Sequence, residues 1–332
     1  MNRRKIFLLC VSASLCLCMS CAKVKIQQED DMPEKPKTES SDLDNSVPEG
    51  WKYFGGDEFN DTSIDPAKWV MYGAKGVGER YYGCDVGEAI HEYRPEQISL
   101  SIASTGEKVL HINSIKKTDG DSIKYPSGNF SRWWSGAIFS RGVKPKPVYY
   151  PLFCRIDIRA KLANEIGIWH GLWCRHYLGS KVAELDLAEL FMNEDDKKTL
   201  RQAFHVYNNL THTLEVNVPK GQNRRETANS DLGKNFHIYT VQVDKHPTNP
   251  EEAVITFLVD NIINYSFSTD RFGAGIYNKF ITQTLKENRS ESAWDIVFTG
   301  QIGGKDSGIR YPDNALNRVS SEIDWIRVYI RK

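Results

Sequence analysis

Period-two alternation dominates this chain. The stretches 98–102, 109–112, 153–160, 238–243, 254–259 and 323–329 each alternate, or run β-branched and aromatic, between turn residues. Successive strand side chains point to opposite faces, so every such stretch needs a second apolar layer to cover one face. Helical periodicity is scarce, and residues 276–287 offer the best helix candidate. Many short strands separated by turn signals predict an all-β fold, a sandwich or a barrel.

The run Ala183-Glu184-Leu185-Asp186-Leu187-Ala188-Glu189-Leu190 sets its strand a geometrical problem. Glu184 and Asp186 share a face, whereas Glu189, an odd number of positions on, falls on the other. One extra residue at Leu187-Ala188, a β-bulge, turns Glu189 back and lines one groove with three acids. Crowded carboxylates do not all ionise at ordinary cost, so one keeps a proton near neutral pH while another stays anionic. Such a pair suits acetal hydrolysis. Without a bulge, the same pattern describes a solvated sheet face with apolar residues inward and acids outward.

The ends of the chain differ in character from its body. Met1-Asn2-Arg3-Arg4-Lys5 is a basic leader, and residues 6–20 form an apolar, small-residue run too short for a permanent span. Together they read as a secretory signal. Its end, Leu17-Cys18-Met19-Ser20-Cys21, resembles a bacterial lipoprotein signal, with Cys18 where such signals usually carry Leu. Residues 1–21 are assigned to this signal, with Cys21 as the lipidated residue and cleavage without lipidation as the alternative. Residues 22–48 are rich in Gln, Glu, Asp, Lys, Pro and Ser; they read as a disordered tether, leaving 49–332 as one large β domain. A cell-envelope location follows, anchored to the outer membrane or cell surface.

Basic and acidic residues number 43 each, so the formal net charge is zero and no basic block marks a nucleic-acid partner. Of the seven cysteines, Cys84, Cys154 and Cys174 lie beyond Cys21. They lack paired metal-ligand spacing, no disulfide is predicted among them, and Cys154 is expected to be buried and inert.

The order of motifs resembles glycoside hydrolase family 16, the laminarinase, lichenase, agarase and carrageenase group. Gly56-Asp57-Glu58-Phe59-Asn60 with Ile64-Asp65 and Lys68-Trp69 is similar to the family's opening block. Tyr93-Arg94-Pro95-Glu96-Gln97, Ser135-Gly136-Ala137-Ile138-Phe139-Ser140-Arg141 and Gly167-Ile168-Trp169-His170-Gly171-Leu172-Trp173 follow, ahead of the Glu184-Leu185-Asp186-Leu187-Ala188-Glu189 signature. Phe236-His237-Ile238-Tyr239, Val259-Asp260-Asn261, Ile302-Gly303-Gly304 and the closing 323–329 strand complete the series. The resemblance covers nearly everything from Trp51 onward.

It implies a β-jelly-roll of two curved antiparallel sheets (a concanavalin A-like architecture), with the signature strand on the concave face and glycan lying across it. It also implies retention of anomeric configuration, with Glu184 as nucleophile, Glu189 as general acid/base and Asp186 between them. Independently, a retaining pair needs carboxyl groups only about 5 Å apart, which two Glu side chains leaning over Asp186 can supply. The implied enzyme is an endo-β-glycosidase acting on β-1,3 or mixed-linkage glucan, expected to work as a monomer. The alternatives are the same chemistry on a β-galactan or host poly-lactosamine, and a non-catalytic glycan-binding lipoprotein.

Aromatic rings can stack on the C–H face of a sugar. Trp169 and Trp173 match the family's platform motif, and Trp133 lies with Trp134 on an expected loop. His205 falls where the family often places a His beside the cleaved bond. No cofactor is required and no catalytic metal is expected, while Asp324 matches a structural calcium site of some relatives. Ala183, His170-Gly171 and Thr299-Gly300-Gln301 depart from the family's usual residues and are expected to line or border the cleft. The basic run 220–226 reads as a solvated loop, or as a sulfate-binding edge for an anionic galactan.

Overall fold

The alternating stretches become strands of two antiparallel sheets in the computed structural model, which describes residues 47–73, 89–118, 120–124, 130–141, 148–192, 198–208, 210–211, 213–218, 224–225, 232–269, 284, 292–304 and 309–332. The described residues belong to one unit, Thr38–Lys332. One sheet, termed here the site sheet, runs in spatial order β14 (Thr213–Val218), β13 (Lys198–Asn208), β12 (Lys181–Met192), β11 (Ile168–Leu178), β19 (Asp295–Ile302), β9 (Ala137–Phe139) and β2 (Val70–Met71), with β15 (Arg224–Arg225) against β13. The other runs β18 (Ile262–Ser268), β17 (Ala253–Val259), β16 (His237–Lys245), β10 (Arg155–Lys161), β20 (Arg318–Arg331), β5 (Lys108–Lys116), β8 (Trp133–Ser135) and β3 (His91–Tyr93). In it β1 (Trp51–Asp57) pairs with β20 and β4 (Ile98–Ile102) with β5, while β6 (Ile123–Lys124) and β7 (Phe130–Ser131) form a separate ribbon. β3 and β8 alone run parallel among the paired strands described.

Five of the six stretches read from period two lie wholly in strands β4, β5, β16, β17 and β20, and the 153–160 stretch enters β10 at Arg155. The helix candidate at 276–287 lies outside the described residues apart from Thr284, as does Cys84. Of the basic run 220–226, Arg224 and Arg225 fall in β15, whose backbone pairs with Thr199 and Leu200. β17 and β18 are joined through Asp260 and Asn261, with φ of 50° and 63°. That left-handed pair is what a two-residue hairpin turn requires, and Asn and Asp tolerate it better than other non-glycine residues.

The core fills the space between the sheets. Ile156, Ile158, Val241, Phe257, Ile326 and Val328 of one sheet meet Leu172, Leu185, Leu187, Leu190 and Phe298 of the other, all at most 1% exposed. Cys154 and Cys174 are free thiols in this layer, and burial pushes both well above the ordinary thiol range. Each fully buried aliphatic or aromatic side chain here contributes about 1.5–3 kcal/mol of transfer free energy.

Three expectations need correction. Trp133 and Trp134 are on strand β8, not a loop, and Trp133 is only 2% exposed among Ala163, Ile168, Ile302 and Val319. A ring closed off on this scale has no face for a sugar. Ala183 and His170 point into the inter-sheet layer and do not line a cleft. The His170 ring spans that layer, Nε2 at 2.9 Å from Ser114 Oγ and Nδ1 at 2.7 Å from Ser321 Oγ. Burial, with nearby His91, lowers its pKa to about 3, so it is a neutral bridge between sheets.

Candidate active site

The bulge expected at Leu187-Ala188 is present, and both neighbouring strands register it. Asp186 pairs with Ala203 and Glu189 with Arg201, three steps on β12 against two on β13. On the other side Asp186 pairs with Trp173 and Ala188 with Leu172, two steps against one. Leu187 and Ala188 both enter the core. The apolar side chains thus anchor the extra residue, and Glu184, Asp186 and Glu189 emerge together on the opposite face.

Neutralisation of these acids is incomplete. Arg201 stands 3.8 Å from Glu189 Oε2, and His205 Nε2 lies 3.2 Å from Asp186 Oδ2. The Tyr207 hydroxyl donates to Glu184 Oε2 at 3.4 Å, and the Trp169 indole N–H donates to Glu189 Oε1 at 2.6 Å. Burial first, and then the Asp186 charge, pushes the Glu184 carboxyl up to about 8, against smaller lowering effects of His205 and Tyr207. Asp186 is also raised well above the carboxylate range, by burial and by Glu189. A group of this kind shares its protons and titrates as a unit. Glu184, Asp186 and His205 also offer ligand atoms within 4.8 Å of one another, a donor set able to hold a divalent cation.

Two tryptophans of the platform motif are placed differently. Trp169 is half-buried, with its ring 6.1 Å from Phe191 and its N–H on Glu189. Trp173 is 6% exposed, packs with Tyr72, Tyr93, Phe139 and Val297, and donates to Thr299 Oγ1 at 3.1 Å. It forms the floor beside the acids, with the Arg175 guanidinium 5.4 Å from its ring. Gly171 keeps the space before Glu189 open: a Cβ there would sit 3.3 Å from Thr299 Oγ1 and 3.4 Å from Trp173. Of its motif neighbours, Thr299 therefore belongs to this face, as expected. Asp324 lies elsewhere, buried and paired with Arg159.

Arg201, Tyr207 and Phe191 join the site without having been singled out in the sequence. Parity would have found the first two, since Arg201, His205 and Tyr207 are spaced by even numbers along β13; Arg201 and His205 stand opposite Glu189 and Glu184, and Tyr207, opposite Val182, follows on the same face.

No protein-family model matches the sequence, and no curated protein matches it. Solved structures do match. The laminarinase catalytic domain of Thermotoga maritima is similar with a TM-score of 0.59 at 20% identity, over 86% of this chain and 100% of that one. The endo-β-1,3-glucanase of Pyrococcus furiosus gives 0.57 at 17%, over 85% and 95%. A glycoside hydrolase family 16 endo-glucanase of Bacteroides ovatus gives 0.55 at 17%, over 82% and 99%. With its two antiparallel sheets, the chain has the β-jelly-roll fold of these structures, among them the glycoside hydrolase family 16 endo-glucanase.

Proposed function

We propose that this protein is a retaining endo-β-glycosidase of glycoside hydrolase family 16 that cuts β-1,3 or mixed-linkage glucan. The observation that carries the reading is the bulge at Leu187-Ala188, which gathers three under-neutralised carboxyl groups on one face. Stable folding alone does not call for like charges collected at one place. The solved structures of the same fold include laminarinases and endo-glucanases, which supports the polymer class.

In this reading Glu184 attacks the anomeric carbon as the glycosidic bond breaks, and Glu189 gives its proton to the departing oxygen. The glycosyl ester on Glu184 then yields to water, whose proton Glu189 takes back. Glu184 holds a proton more tightly than an ordinary carboxyl does. Because the carboxyls are coupled, a sugar seated against Glu184 shifts that proton toward Glu189, where the first step needs it. Asp186, held to His205, keeps the two glutamates from carrying full charge together. Trp169 fixes the Glu189 carboxyl and offers a ring edge to the sugar, and the Trp173 floor shapes the groove beneath. The lipidated Cys21 and the tether 22–48 would hold the enzyme at the cell surface, within reach of long polymers.

The test is product release. Wild type and Glu184→Gln are incubated with β-1,3-glucan, mixed-linkage glucan, agar-type and sulfated galactans, and mucin glycans. Oligosaccharides from a β-glucan, absent with the variant, are expected. Binding without cleavage of any polymer would replace the hydrolase by a glycan-binding protein.

A further inference from the structure

A bulge leaves part of its strand outside the ladder, so something must hold it in place. Gln202 lies on β13 between Arg201 and Ala203, the partners of Glu189 and Asp186, and has no pairing partner of its own on β12. Its side chain faces away from the acids and is fully buried. The amide Nε2 donates to Leu187 O at 2.8 Å and to Leu258 O at 3.1 Å, one carbonyl from each sheet. Asn264 Nδ2 donates to Gln202 Oε1 at 2.9 Å, and the Tyr265 hydroxyl donates to the Gln202 carbonyl. The amide orientation is forced, because two carbonyl acceptors require the NH₂ and an amide donor requires the oxygen.

We infer that Gln202 is a positioning residue: it clamps the bulged carbonyl of Leu187 to the opposite sheet and so keeps Glu189 on the face of Glu184 and Asp186. No other side chain of this length does the same. Glu lacks the two hydrogens, Met lacks both functions, and Asn is a methylene shorter. Released from the clamp, β12 can slip by one residue, which sends Glu189 toward the other face. The clamp reaches through Asn264 and Tyr265 into β18, tying the site to a hairpin of the far sheet.

The kinetic part of the test rests on the proposed hydrolase reading; the spectroscopic part does not. The full chain is compared with Gln202→Met, close to isosteric, and with Asn264→Ala, which loosens the Gln202 amide but leaves its two carbonyl bonds. Trp169 donates to Glu189, so its indole N–H resonance reports where Glu189 stands. Gln202→Met is expected to move that resonance toward the position of a free indole and to lower kcat on β-glucan by on the order of 10²-fold, with KM within roughly threefold. Asn264→Ala is expected to move the resonance less and to cost on the order of 10-fold. A folded Gln202→Met with an unmoved Trp169 signal and wild-type kcat overturns the assignment; if Gln202→Met does not fold, an unmoved signal in Asn264→Ala overturns it. A moved signal in a protein whose wild type cuts no glucan upholds the clamp and overturns the hydrolase reading instead.

Discussion

Two buried acidic sites of this molecule solve the same problem in opposite ways. Glu92 on β3 is fully buried, with Lys117 Nζ 2.7 Å from one carboxyl oxygen and Arg94 Nε 2.6 Å from the other. Two cations enclose one acid. On β12 three acids share a single guanidinium at 3.8 Å and an imidazole at 3.2 Å. The first arrangement compensates the desolvation of its charge by paired geometry, as buried ion pairs must. The second retains its cost as raised carboxyl pKa values at Glu184 and Asp186, which keeps a proton within the cluster for the catalytic carboxyls to share. The contrast separates a structural acid from a reactive one without reference to sequence motifs.

The contrast breaks most sharply at Glu184. Glu184→Gln is expected to abolish hydrolysis by roughly 10³-fold or more, read as product release. The same variant should be more stable than wild type. Glu184 binds its proton more tightly folded than unfolded, its carboxyl moving from 4.5 to about 8. Stability from that proton is complete below the unfolded value and is lost as pH rises through the folded one. With nothing to ionise, the variant gains on wild type across that window, by on the order of 2 kcal/mol after screening at a half-buried group. A Tm difference that stays flat from about pH 4 to about pH 9 would contradict the reactive-acid assignment.

Lys117→Met should show the reverse profile. It leaves Glu92 with one cation in place of two, at a cost of about 3 kcal/mol in unfolding free energy. Denaturant midpoints measure the loss, and kcat on β-glucan should not change. A fall in kcat would mean that the two acidic regions are coupled.

Trp169→Phe gives the smallest effect and sharpens the comparison within the site. It keeps a ring beside Phe191 but removes the N–H that holds Glu189. A loss of about 10-fold in kcat with little change in Tm is expected, the scale of one hydrogen bond to a charged group. A rise of about 10-fold in KM with kcat unchanged would recast Trp169 as a binding platform only.

How far the chain could be read in advance follows from the range of each interaction. Strand positions were legible because alternation is a property of neighbouring residues. The bulge was legible for the same reason: Glu184, Asp186 and Glu189 cannot share a face of a regular strand, and Leu187-Ala188 is the apolar place to insert one residue. His205 was found by resemblance, while Arg201 and Tyr207 beside it needed only the parity of β13. The tryptophans were not legible. Trp133, Trp169 and Trp173 are equally apolar in sequence, yet one is core, one holds Glu189 and one is floor. Which of them meets solvent depends on strands that pair across the fold.

The sequence by itself therefore determined the strand class and showed that three acids could share a face only through a bulge, because both are written in residue periods of two; the register of β11 and β13 decided that the bulge is there. Tertiary structure alone decided that Ala183 and His170 face the core, that Glu92 is neutralised by Lys117, and that Gln202 joins Leu187 of one sheet to Leu258 of the other. Those partners lie 15 to 56 residues apart for the Glu92–Lys117 and Gln202 contacts, and local propensity carries no record of such meetings.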